Sequence, residues 1–203
     1  MTQAHTNQCK KPNLNIKKIK MKHLYILLFL CTTAAFSQSK KHFITITFSD
    51  GPLQGTHTFY PEKGNFASQA NIEFFEGASN VNASKLTTES GFQVHYINRY
   101  FLGEPTVGTH QPKPSTSGCG SLNFIDLKGN QTYDRINGDF TGCSTTKITK
   151  VTPWKEGVVK KRRVVSGEFE DTLTMEIRMD DGSKNTITSN VKVSFSVNQS
   201  KMK

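Results

Sequence analysis

From Leu173 onward, apolar side chains recur at every second position. Leu173, Met175, Ile177 and Met179 alternate with Thr172, Thr174, Glu176, Arg178 and Asp180. After Asp180-Asp181-Gly182-Ser183 the pattern resumes, with Val191, Val193, Phe195 and Val197 between Lys192, Ser194 and Ser196. A period of two belongs to a strand with one buried face. The two runs therefore read as a long antiparallel hairpin, with Asp-Gly supplying the positive φ of its turn. A slip of one residue would turn the whole apolar set toward water, so the register is firm.

Shorter segments repeat the pattern. Ile44, Ile46 and Phe48 alternate with Thr45 and Thr47, and Ile72 to Phe75 reads as a short strand. Phe92, Val94 and Tyr96 are expected on one face of a strand reaching about Phe101. Residues 121–127 and 131–140 flank Lys128-Gly129-Asn130 as a second hairpin, and 158–169 forms another strand region interrupted by Lys160-Lys161-Arg162-Arg163. The segment 104–117, with Pro105, Pro112 and Pro114, reads as a long surface loop. Helical spacing is nearly absent, while Thr, Ser and Asn abound. The expected architecture is a single all-β domain, 38–198, of roughly seven to ten strands packed as an antiparallel β-sandwich, with 199–203 as a polar tail. A closed antiparallel β-barrel is the alternative, because consecutive hairpins can close on themselves.

Ile136-Asn137-Gly138-Asp139-Phe140 and Val165-Ser166-Gly167-Glu168-Phe169 share the order aliphatic, polar, Gly, acidic, Phe. In strands this places the aliphatic, the Gly and the Phe on one face. Such a Gly makes room for a neighbouring aromatic or marks a bulge.

Met21 to Gln38 has the parts of a signal peptide. A basic start precedes an apolar run, and Ala35-Phe36-Ser37 puts small residues where a signal peptidase reads, so cleavage is expected before Gln38. Residues 1–20 then reflect a start taken at Met1 in place of Met21, or a long n-region. A lipid anchor on Cys31 is disfavoured because Leu30, before it, is large. No apolar stretch reaches the length of a membrane span, so none is expected in the mature chain. These features place the mature domain as secreted or in a bacterial periplasm or cell envelope.

The leader ending Ala34-Ala35-Phe36-Ser37-Gln38, followed by β segments of the Val165-Ser166-Gly167-Glu168-Phe169 type, resembles small exported all-β proteins and lipoproteins of flavobacteria and their relatives. In these a late Gly, acid-or-Thr, Phe strand precedes a final hairpin. The resemblance covers the leader and the last 40 residues or so. It implies an exported all-β domain and brings no catalytic residues.

The charge balance also depends on the leader. The 203 residues carry 26 Lys+Arg against 16 Asp+Glu, a net of +10, but 1–37 contains six lysines and no acid. The remaining 166 residues carry 20 basic and 16 acidic side chains, a net of +4. No nucleic-acid partner is expected on that balance. With Cys9 and Cys31 in the leader, the mature chain keeps Cys119 and Cys143, expected as a disulfide. The sharper reading makes Cys119 a nucleophile with His95 or His110 as base. A thiol exposed outside the cytosol would oxidise, however, and no triad spacing supports that reading.

Reactive constellations are scarce in the chain. His42, His57, His95 and His110 stand far apart, without HExxH or Cys-x-x-Cys spacing, so neither a metal nor a cofactor is expected. Asp126, Asn130, Asp134, Asp180 and Asp181 read as turn residues rather than calcium ligands. There is no Gly-x-Ser-x-Gly elbow. Glu73, Glu76, Glu168 and Glu170, the acids available for glycoside cleavage, fall mostly on polar strand faces.

The basic run Lys160-Lys161-Arg162-Arg163 suits an acidic polysaccharide or phosphate-rich surface, or else an edge strand kept apart by like charge, with Glu168, Glu170 and Asp171 nearby to neutralise it. Trp154, with Tyr100 and Phe101, would add a sugar-stacking or partner patch, or cap one end of the core. The candidate binding surface is thus Trp154, Tyr100, Lys160, Lys161, Arg162 and Arg163. The function expected is a non-enzymatic exported module binding a protein or polysaccharide at the cell surface. The rivals are a β-barrel carrier of a small apolar ligand and a secreted carbohydrate-active hydrolase.

Overall fold

The computed structural model describes residues 42–51, 53–88, 91–116, 118–126, 133–179 and 181–203. The leader with Cys9, Met21 and Cys31, the turn Lys128-Gly129-Asn130 and Asp180 lie outside the described residues.

Among those described, every regular element is a strand. The first five are β1 (Phe43–Phe48), β2 (Gly55–Phe59), β3 (Gln69–Phe75), β4 (Ala78–Thr87) and β5 (Phe92–Leu102). They are followed by β6 (Gly108–His110), β7 (Gly120–Asp126), β8 (Tyr133–Phe140) and β9 (Thr146–Val151). The chain ends with the long pair β10 (Lys160–Met179) and β11 (Lys184–Met202). The all-β class expected from alternation holds.

β3, β4, β5, β7 and β8 pair antiparallel in that spatial order, and β8 pairs with Leu173 to Met179 of β10. β10 pairs with β11 from Lys160↔Met202 to Arg178↔Lys184. β11 then meets β3 through Asn198↔Asn71 and Gln199↔Ile72, a parallel joint that makes the sheet mixed rather than wholly antiparallel. The pairings thus run in a closed circuit. β1 with β2, and β9 with β6, extend it as two flaps on β11 and β10 respectively.

The final hairpin has the expected phase. Val165, Phe169, Leu173, Met175 and Ile177 of β10 and Val191, Val193, Phe195 and Val197 of β11 are all buried. Gly182 takes φ +81° in the turn. Two boundaries differ from expectation. The basic run opens β10 rather than interrupting it, and β11 runs on to Met202, taking in all but the last residue of the stretch expected as a polar tail. The 104–117 segment also contains a strand: β6, paired to β9 at Gly108↔Ile148.

β5 departs in phase. The register shifts between Val94 and Tyr96, a β-bulge at His95. Phe92 and Val94 face inward as expected, but Tyr96 turns outward, and Ile97, Arg99 and Phe101 take the inner face.

The walls of the curled sheet meet across one core. Phe59 of β2 packs edge-on against Phe124 of β7 at 5.6 Å, and Phe92 lies 5.1 Å from Phe124. His57 completes this cluster, its ring 5.4 Å from Phe92, while Nε2 donates to the Leu53 carbonyl at 2.9 Å. The two five-residue repeats face inward as the pattern required, and their Phe140 and Phe169 rings meet edge-to-face at 5.2 Å. A Cβ on Gly167 would stand 2.7 Å from both the Lys147 carbonyl oxygen and the Phe195 ring. Gly167→Ala is therefore expected to destabilise the domain by about 1–3 kcal/mol, read as a lower thermal midpoint. An unchanged midpoint would show that β9 yields freely.

Cys119 and Cys143 form the expected disulfide, with Cα atoms 5.2 Å apart. It fastens the start of β7 to the connection between β8 and β9.

Candidate functional site

Strand alternation divides the basic run. Lys161 and Arg163 share the phase of the inward residues of β10, whereas Lys160 and Arg162 point outward. The first pair is spent on the protein itself. Arg163 contacts Glu104 at 3.0 Å, its Nε donates to Gln199 Oε1 at 2.6 Å, and its guanidinium lies 4.5 Å from the Trp154 ring centroid. Lys161 contacts Glu156 at 2.7 Å, and this hydrogen bond holds the Glu156 carboxyl below its ordinary pKa. Trp154 therefore braces Arg163.

The acids that neutralise the run are Glu104 and Glu156. Glu168 and Glu170, expected in that role, share Lys192 at 3.6 and 2.9 Å. Asp171 is buried elsewhere. Tyr100 lies half-buried on β5, with no described contact joining it to Trp154, and Phe101 belongs to the core. The sequence-predicted surface thus separates into a structural lock (Trp154, Lys161, Arg163), Tyr100 on β5 with no described contact to it, and an outward pair, Lys160 and Arg162.

That outward pair lines a groove of about 530 Å³. Opposite it stand Asn71 and Glu73 of β3, with Asn198 and Ser200 of β11 between and Phe66, Ser68 and Gln69 at one end. The groove lies beside the β11–β3 joint, where the ladder is only two residue pairs long. All four of Asn71, Glu73, Asn198 and Ser200 occupy the outward phase of their strands. Phe66 is 99% exposed, so it adds nothing to the core.

The turn that presents Phe66 is firmly braced. Asn65 donates to Glu62 Oε2 at 2.9 Å and accepts from the Ala67 N–H at 3.0 Å, and the Ser68 hydroxyl donates to the Lys85 carbonyl at 2.8 Å. No ion pair to Lys160 or Arg162 occurs among the described residues. Among the described residues the site therefore offers two cations without an ion-pair partner, amides, a hydroxyl, one carboxylate and an exposed aromatic face. Such a set suits non-covalent recognition of a polyhydroxylated or acidic polymer.

The carboxylates named for hydrolysis do not converge. Glu73 lines the cationic groove and Glu76 sits in the β3–β4 turn at φ 50°. Glu168 and Glu170 are fastened to one ammonium, which raises the Lys192 pKa, chiefly through the hydrogen bond to Glu170. Among the described residues no three potential ligands gather around a metal position.

A second polar cluster lies inside, missed because Tyr96 set the wrong phase for β5. Arg99 crosses the core to Asp171 of β10 at 2.6 Å, with both side chains fully buried. Nη2 also donates to the Ser144 carbonyl, and the Ser144 N–H donates to Asp171 Oδ2 at 3.2 Å. The guanidinium lies 4.5 Å from the Phe169 centroid and 5.8 Å from that of Phe140, so the two repeats build its box. Burial pulls the Arg99 pKa down while the Asp171 charge and hydrogen bond oppose it. Outside this cluster is an open depression of about 520 Å³ lined by Thr47, Ser144, Glu170, Asp171 and Lys192.

Comparison of the chain with protein-family models, with curated proteins and with solved structures finds no match. Its class is therefore defined by its own fold and site: a disulfide-linked all-β domain with a cationic, amide-lined groove.

Proposed function

We propose that this chain is an exported, non-enzymatic binding module of the cell envelope, and that the Lys160–Arg162 groove takes a polysaccharide at the cell surface. One observation carries the reading. Of four consecutive basic residues, two are neutralised internally and two are held outward, without an ion-pair partner among the described residues, beside Asn71, Asn198 and Phe66. Cations take the carboxylates of an acidic sugar, amides and Glu73 take hydroxyls, and an aromatic face takes the apolar side of the ring. Export is supported by the disulfide, which oxidising compartments maintain. No helix among the described residues is long and apolar enough to cross a membrane.

Calorimetric titration of the full chain with an oligogalacturonate and with a neutral malto-oligosaccharide of equal length tests this. The acidic ligand is expected to bind more tightly, and the preference should shrink as salt rises. Lys160→Gln with Arg162→Gln should weaken it about tenfold or more. Equal binding of the neutral sugar, or an unaffected double variant, would remove the groove from the account.

A further inference from the structure

The chain from Trp154 to Arg163 turns back on itself, and its tip is apolar. Lys155 and Arg162 exchange backbone hydrogen bonds, Lys155 N–H to the Arg162 carbonyl at 2.8 Å and Arg162 N–H to the Lys155 carbonyl at 3.0 Å. Glu156 and Lys161 join across the loop, Lys203 Nζ reaches Glu156 at 3.3 Å, and the Lys203 N–H donates to the Val159 carbonyl at 3.3 Å. Gly157 permits the reversal, since a Cβ there would stand 2.5 Å from the Lys160 carbonyl oxygen. This braced loop holds Val158 97% and Val159 63% exposed, with Met202, the cross-strand partner of Lys160, at 69%.

Turns favour Gly, Asn, Asp, Pro and Ser. Two β-branched apolar residues at a turn tip serve neither the turn nor the core. Around them lie Lys155, Lys160, Arg162 and Lys201, with Lys161 and Lys203 sharing the acid Glu156. Exposed apolar side chains inside a basic collar match the boundary of an anionic bilayer, where apolar side chains enter the acyl region and cations meet headgroup phosphates. A polysaccharide would gain nothing from the valines.

We infer that the Val158–Val159 loop is a membrane-docking tip that seats the domain on an anionic lipid surface. The inference goes beyond the groove reading: it stands on Val158 and Val159, while Lys160 and Arg162 border both features. Trp154, the only tryptophan in the chain, lies at the loop's base and reports on docking.

The test adds the full chain to vesicles of phosphatidylcholine alone, or with about a third phosphatidylglycerol, each carrying a headgroup spin label. Trp154 fluorescence should be quenched on the anionic vesicles and much less on the neutral ones. Val158→Ser with Val159→Ser, which leaves charge and core untouched, should raise the lipid concentration for half-maximal quenching at least fivefold. Lys155→Gln with Lys201→Gln should weaken docking and its salt dependence together. Absence of quenching on anionic vesicles, or quenching unchanged in the valine variant, overturns the inference. Oligogalacturonate binding should survive the valine substitutions, so the groove and the tip fail or stand separately.

Discussion

Replacing Asp171 by alanine is expected to destabilise the domain by about 3–5 kcal/mol, among the largest effects of any single substitution in this fold. The cause lies in what remains. Arg99 would keep its cation fully buried, with the Ser144 carbonyl and the Thr146 hydroxyl as neutral acceptors and two phenylalanine rings against its face. Burial already works against the charge, and Asp171 is the group that opposes this effect. Removing both charges should cost far less: Arg99→Met with Asp171→Leu is expected to recover most of the loss, because neither side chain is then desolvated without a partner. Arg99→Lys with Asp171 retained should also destabilise the domain, since an ammonium cannot reproduce the planar fork that reaches Asp171 and Ser144 together. Denaturant midpoints at unchanged m-value would measure all four proteins. An Asp171→Ala protein within about 1 kcal/mol of the parent would show that water enters the box and that the pair does not hold the β5 wall to β10.

The second large effect belongs to the disulfide. Cys119 and Cys143 are separated by 24 positions, and closing such a loop removes about 3.5 kcal/mol of unfolded-state entropy in the chain-entropy model. Cys119→Ser with Cys143→Ser should lower stability by about that amount, and reduction of the parent protein should reproduce the loss. The connection carrying Cys143 also carries Ser144, which bonds to both Arg99 and Asp171. Loss of the cross-link should therefore couple to loss of Asp171, with an interaction energy above about 0.5 kcal/mol in a double-mutant cycle. Strict additivity would mean that Ser144 is held by the backbone alone.

The parts of this fold that follow a local rule were legible in the sequence. The β10–β11 register follows from alternation, and its turn from Asp-Gly. The inward Gly138 and Gly167 follow from the repeated five-residue pattern. What escaped has specific causes. Tyr96 is apolar enough for the alternation of Phe92 and Val94 to read straight through His95, which conceals the bulge and assigns Arg99 to solvent. Asp171 stands between Phe169 and Leu173 in the inward phase, but beside Glu168 and Glu170 it reads as one more surface acid. The basic run resembles an interruption because charge usually ends a buried pattern, whereas at the end of this sheet Glu104 and Glu156 are waiting for it. The joint between β11 and β3 brings together Asn198 and Asn71, far apart in sequence, and no local pattern encodes such a meeting. The candidate groove lies beside that joint, so half of its wall was invisible until the circuit closed.

The strand order also governs how this chain folds. β3, β4, β5, β7 and β8 can assemble among themselves, but among the described residues their two outer borders find ladder partners only in β11 and β10, the last strands in the chain. The β1–β2 and β6–β9 flaps wait on the same pair. Topologies dominated by such distant pairings form slowly. Were the chain exported unfolded, as the proposed function requires, that delay would be an advantage: most of its length could pass before the two strands that lock the rest arrive.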